Sequence, residues 1–226
     1  MGLTVRDTAR LLTTDENQVH RWIESGEIPF DRAADQLRLN RSELLEWATA
    51  RGIRLSAEVF REQGEPQAPL IDALRVGGIH YAVQGTTREG VLRTIVERMP
   101  LPDPAERELV VQVLLSRERL GSSAVGDGIA IPHVRHPLVF HGGRPLLTLS
   151  FLATPIDFDA PDNKPVFALF TMISPTIRTH LQLLARLAAA LHDARFKAAV
   201  LARAPADTIL LEVERIEAAL AGAATA

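Results

Sequence analysis

The stretch AEVFREQGEPQAPL, residues 57–70, constrains the fold of this chain more than any motif in it. It is polar, sets 1 Arg against 3 Glu and contains two prolines, and it reads as a linker. The 226 residues therefore divide into residues 1–56, with 8 Arg against 9 Asp and Glu, and residues 71–226, with 16 charges of each sign. Two modest domains are expected, and a hydrophobic fraction of 46% is enough to give the chain a core of ordinary size. A net charge of −3 does not suit a generally basic nucleic-acid-binding chain. No run approaches the roughly eighteen apolar residues of a membrane span, and MGLTVRDTARLL carries acid and arginine where a signal peptide has its apolar segment. A cytoplasmic location away from membranes is expected. The absence of cysteine rules out disulfides and thiolate metal sites.

In residues 1–56, Val5, Ala9 and Leu12 fall at helical spacing behind Thr4, an N-cap residue. TTDENQVHRWIESGEIP reads as a turn, a short helix capped by Thr14 or Asp15, and a stop at Ser25-Gly26 before Pro29. QLRLN (36–40) alternates like a brief strand, and a further helix opens at Ser42. Helix, turn, helix, strand pair and helix is the order of a small winged helix-turn-helix module, although such helix pairs serve equally as packing units.

In residues 71–226, TREGVLRTIVERM and PAERELVVQVLLSRERL are helical, and Val110, Val113, Leu114 and Arg117 share one face of the second. LLTLSFLA (146–153) and KPVFALFTMI (164–173) read as buried strands, with TPIDFDAPDN as a turn between them. One long helix is expected through IRTHLQLLARLAAALHDARFKAAVLA, with His180, Leu184, Leu187 and Leu191 facing inward. Between the helices and strands lies GSSAVGDGIAIPHVRHP, which has no phosphate-binding lysine motif and so no nucleotide site. His133, His136 and His141 lack nearby carboxylates and the spacing of a metal site, so no metal is expected. From spacing alone, Arg117 could simply favour a helix C-terminus, and His133 and His180 could be satisfied polar side chains.

Two resemblances change that balance. LTVRDTARLLTTDENQVHRWIESGEIPFDRAADQLRLNRSELLEWA resembles the DNA-binding domain of the excisionase and MerR-like family, whose members read L-T-V-x-x-A-A-x-L-L, V-x-R-W-I-x-x-G-x-I-P and, after a wing, R-S-E-L-x-x-W. The resemblance implies that Asn17, Gln18, His20 and Arg21 face the major groove, with Trp22, Ile23 and Trp47 as core. Asp31 and Asp35 depart from the pattern, standing in the wing where relatives are basic.

LLSRERLGSSAVGDGIAIPHVR, TPIDFDAPDNKPV and THLQLLARLAAAL are similar, in order and spacing, to the enzyme IIA domain of the fructose, mannitol and nitrogen-regulatory type of the bacterial phosphotransferase system. That resemblance implies an α/β fold, a mixed β-sheet flanked by helices. It also implies a phosphohistidine carrier needing no cofactor: His133 accepts a phosphoryl group from the histidine phosphocarrier protein, and Arg117 and His180 hold the phosphoryl oxygens. Relatives have glycine after the histidine where this chain has Val134, a β-branched residue expected to restrict the backbone and slow docking of the donor. Three functions fit: a regulator reporting phosphorylation state to DNA, a relay to a sugar-specific IIB partner with the N-terminal module docking protein, and a IIA domain that binds partners unphosphorylated.

The charge of the N-terminal part makes a prediction. With one net negative charge it neutralises only about three DNA phosphates per copy. Specific binding then needs a homodimer or a partner on paired half-sites. A selection from random duplexes at low salt should enrich a paired sequence, and Arg21→Ala should cost about 1–3 kcal/mol where that arginine reads a guanine. Enrichment of nothing, in either phosphorylation state, makes the module a protein-docking domain.

Overall fold

The computed structural model describes residues 3–28, 30–33, 36–39, 41–51, 53, 55–56, 68–101, 103–134 and 144–225. The N-terminal module comprises α1 (Val5–Leu11), α2 (Glu16–Glu24), the antiparallel pair β1 (Asp31–Ala33) and β2 (Gln36–Arg38), and α3 (Arg41–Ala50). Local chemistry sets its helix starts. Thr4 and Asp7 form a capping box at α1, and Asp15 accepts from the Gln18 N–H at the start of α2. Ile23 is buried, but Trp22 and Trp47 are half-buried and meet edge to face with ring centroids 4.9 Å apart. Asp35 and the side chain of Asp31 lie outside the described residues.

The larger part comprises α4 (Leu70–Gly77), β3 (Ile79–Val83), α5 (Arg88–Arg98), α6 (Pro104–Glu118), β4 (Ala124–Gly126), β5 (Ile129–Ala130), β6 (Leu146–Ile156), β7 (Val166–Ile173), α7 (Ile177–His192), α8 (Ala194–Leu201) and α9 (Ala206–Thr225). Its mixed sheet has the order β3-β6-β7-β5-β4. β6 and β7 are antiparallel, β3 adds parallel to β6, and β5 adds parallel to β7. The two apolar runs thus become adjacent central strands, and their period-two alternation separates two cores. Leu147, Leu149, Phe151, Ala168, Phe170 and Met172 join α4, α7, α8 and α9 on one face. Leu152, Leu169 and Ile173 join α5 and α6 on the other. The first of these cores runs on into the N-terminal module through Leu44, Leu45 and Ala48. No helix among the described residues is long and apolar enough to cross a membrane.

Two expectations are corrected. The long helix breaks at Asp193, whose backbone is extended and whose carboxylate accepts from the N–H groups of Arg195 and Phe196 at 3.0 Å each, ending α7 and starting α8. The buried face of α6 is Val110, Val111, Leu114 and Glu118, turned one residue from the face suggested by spacing, so Arg117 lies at its border.

The end of α4 is stitched to β6. Thr148 donates from Oγ1 to the Gly77 carbonyl at 3.0 Å, and the Leu149 N–H donates to the Gly78 carbonyl at 3.1 Å. A Cβ on Gly77 would lie 2.3 Å from the Leu147 carbonyl oxygen, which is backbone in the middle of the sheet and cannot move aside. Gly77→Ala should therefore destabilise the protein by about 1–3 kcal/mol, seen as a lower urea midpoint.

Candidate active site around His133

A tight turn delivers the histidine. β4 and β5 are joined by Asp127-Gly128, both with positive φ (52° and 75°), as a two-residue hairpin with Asp-Gly requires. Gly128 has a second constraint, since a Cβ there would lie 2.6 Å from the Phe167 ring. Past β5 the chain continues beside β7: the Met172 N–H donates to the Pro132 carbonyl at 2.9 Å, and His133 bridges to Met172. His133 is anchored to the backbone of the sheet and is only 3% exposed.

Its ring is oriented by a contact from Nδ1 to the Ile131 carbonyl oxygen at 2.7 Å. A carbonyl oxygen only accepts, so the neutral ring carries its proton on Nδ1 and its lone pair on Nε2. His180 comes from the first turn of α7, where Thr176 accepts from the Thr179 N–H at 3.1 Å. The His180 and His133 ring centroids lie 5.2 Å apart, and the two planes meet at 37°. The orphan N–H groups of that helix start favour an anion nearby. Arg117 lies in the last turn of α6, donates to the Gly121 carbonyl at 2.8 Å, and lines the same small cleft as His133. The three residues singled out in the sequence converge from a strand extension and two helix ends.

Val134 is 2% exposed and packs in the core with Val110, Val111 and Leu114. His136 and His141 lie outside the described residues. Among the described residues no group of three or more His, Cys, Asp or Glu could hold a metal ion. In the N-terminal module, Asn17, His20 and Arg21 are exposed on α2 and Gln18 is half-buried, with Arg21 donating to the Gln18 side-chain oxygen.

Sequence reasoning overlooked Glu118. Its carboxylate accepts from the Ser123 N–H at 3.1 Å and, through Ser123, ties α6 to β4. Burial pushes its pKa above the ordinary 4.5, against the opposing pull of the Ser123 hydrogen bonds and the Arg117 guanidinium. The only sequence signal was its place four residues after Leu114, continuing the stripe. A carboxyl with a raised folded pKa stabilises most below 4.5, and that contribution is lost as the pH rises through the folded value. Glu118→Gln should accordingly match the wild type in stability below pH 4.5 and exceed it at higher pH. Urea midpoints measured across that range check this.

Comparison with known proteins agrees with this architecture. A family model described as "Phosphoenolpyruvate-dependent sugar phosphotransferase system, EIIA 2" matches residues 73–214, and a helix-turn-helix domain model matches residues 3–52. A nitrogen regulatory protein of Escherichia coli (strain K12) is 41% identical over 117 residues, 51% of this chain and 68% of that protein. One from Pseudomonas aeruginosa is 36% identical over 115 residues, 50% of this chain and 73% of that protein. The crystal structure of nitrogen regulatory protein IIA-Ntr from Neisseria meningitidis shares the fold with a TM-score of 0.56 at 24% identity, covering 64% of this chain and 98% of that one. The chain thus belongs to the EIIA type 2 family of the phosphotransferase system, and it carries a helix-turn-helix domain ahead of the family fold.

Proposed function

We propose that this chain is a cytoplasmic regulator of the phosphotransferase system, phosphorylated on His133 by the histidine phosphocarrier protein and reporting that state through its N-terminal module to DNA. The observation that carries the phosphorylation reading is the 2.7 Å contact between His133 Nδ1 and the Ile131 carbonyl, which leaves the Nε2 lone pair as the nucleophile. In the transfer, Nε2 forms a bond to phosphorus as the donor's N–P bond breaks. The bonding pair returns to the donor's ring nitrogen, and the proton of His133 stays on Nδ1. Little else is asked of the protein beyond in-line positioning and positive or N–H groups for three charged oxygens. Arg117 suits the role of a guanidinium clamp, and His180 that of a donor at a helix start. Neither metal nor nucleotide is needed for this step.

The regulatory half of the reading is supported by the helix-turn-helix domain, and by relatives that carry the name nitrogen regulatory protein. A relay to a IIB partner, with the module docking protein, is the second reading, favoured by the module's balance of 8 Arg against 9 acidic residues. We also propose the domain limits 1–56 and 71–226, with residues 57–70 as linker, its last residue, Leu70, already opening α4.

Labelled phosphate passed from phosphoenolpyruvate through the two general phosphotransferase proteins should appear on the wild-type chain and be lost in His133→Ala, without loss of fold. Arg117→Ala and His180→Ala should each slow transfer by roughly tenfold or more. Wild-type labelling of His133→Ala overturns the acceptor assignment. Unchanged rates in both other variants return Arg117 and His180 to purely structural roles.

A further inference from the structure

The N-terminal module and the His133 cleft share a wall. Thr49, in the last turn of α3, lines the cleft together with Arg117, Ser123, Ile131, His133 and Leu184. Its own hydroxyl is satisfied inside α3, donating to the Leu45 carbonyl at 2.7 Å. α3 packs on β4, the strand that opens the acceptor hairpin, and on α7, the helix that bears His180. Leu44, Leu45 and Ala48 belong to one apolar cluster with Leu183, Leu184 and Leu187 of α7. This helix is therefore seated on the two elements that frame the site.

Size decides what the cleft admits in this arrangement. It holds about 30 Å³, room for about two water molecules. That suits the oxygens of a phosphoryl group but not the imidazole of an incoming donor protein, which must approach Nε2 in line at near-contact distance. His133 and His180 are each only 3% exposed with α3 in place. Two large apolar side chains on neighbouring elements, Leu120 just past α6 and Ile177 at the start of α7, stay uncovered at 74% and 54% exposure. An incoming protein has a foothold beside the site but no path to its nucleophile.

We propose that the surface around His133 is a shared docking surface, held alternately by α3 of the chain's own N-terminal module and by the phosphoryl-donor protein. The proposal rests on the reading of His133 as phosphoryl acceptor. Transfer then proceeds only from the form in which α3 has left. The phosphoryl group, bringing about −1.5 to −2 charges to a buried residue, opposes the return of an apolar helix over it, because that closure removes water from the new charge. The linkage is reciprocal: whatever loosens α3 speeds phosphorylation, and phosphorylation loosens α3.

Two measurements on the full chain test this. Thr49→Glu sets a carboxylate against the buried interface; if the open form is about a tenth of the population, transfer from the phosphorylated histidine phosphocarrier should accelerate by up to about tenfold. Thr49→Cys is nearly isosteric and introduces the sole thiol of a chain without cysteine, so its alkylation rate reports whether α3 is seated. That thiol should be shielded in the unphosphorylated chain and react at least about tenfold faster after phosphorylation. Equal transfer rates for wild type and Thr49→Glu, with thiol reactivity indifferent to phosphorylation, overturn the shared surface and leave the acceptor reading intact. If Thr49→Glu proves misfolded, the thiol measurement decides alone. Absence of label from the wild type and both variants overturns the acceptor reading, and this proposal with it.

Discussion

The antiparallel ladder between β6 and β7 is the constraint from which the rest follows. Leu146–Phe151 pair residue by residue with Ile173–Ala168, and along that stretch both strands are covered on both faces. A slip of one residue would exchange the contents of the two cores, moving Thr148 and Ser150 to the face now packed by Leu147, Leu149 and Phe151. With that register held, β7 offers its other edge to β5, in parallel with Ile129 opposite Ala168. The parallel track carries the chain past Pro132 to His133 beside Met172. The imidazole is thus placed by sheet hydrogen bonds rather than by a free loop, which suits a group that must meet a partner in line.

Around that track, helix ends do the electrostatic work. The start of α7 brings His180, and the end of α6 brings Arg117 to where helix carbonyls favour a cation. The helices are held in turn by a buried knot. Pro69 gives α4 no side-chain cap, so Glu217 of α9 accepts from the Leu70 and Ile71 N–H groups at 2.6 and 3.3 Å. The same carboxylate pairs with the buried Arg186 of α7 at 3.1 Å. One glutamate therefore ties α4, α7 and α9 together, and with α7 the ring of His180.

The N-terminal module faces two ways. Its α2 presents Asn17, His20 and Arg21 to solvent, while α3 is turned into the larger part of the chain. Arg21 and Gln18 already hold each other through a side-chain hydrogen bond, so a base contact by either would first exchange that partner.

Much of this was legible in the sequence because it depends on local chemistry. The helix starts at Thr4 and Asp15 follow from short polar side chains reaching nearby N–H groups, and the inward line His180, Leu184, Leu187 and Leu191 follows from the helical period. The resemblance marked His133 by its Ile-Pro-His signature, Arg117 by Arg-Glu-Arg and His180 by Thr-His-Leu, and in the structure the ring of His180 lies beside that of His133 while Arg117 lines the same cleft as His133. What the sequence left open depends on contacts between distant residues. β3, β4 and β5 are too short for periodicity to distinguish them from loop, and only pairing with β6 and β7 makes them strands. Asp193 looks like an ordinary helical surface position until its carboxylate caps α8 and receives Arg215. The burial of Glu118 and Val134, and the seating of α3 beside His133, were decided by tertiary structure alone, because a one-dimensional pattern says which face of an element is apolar but not which other element will cover it.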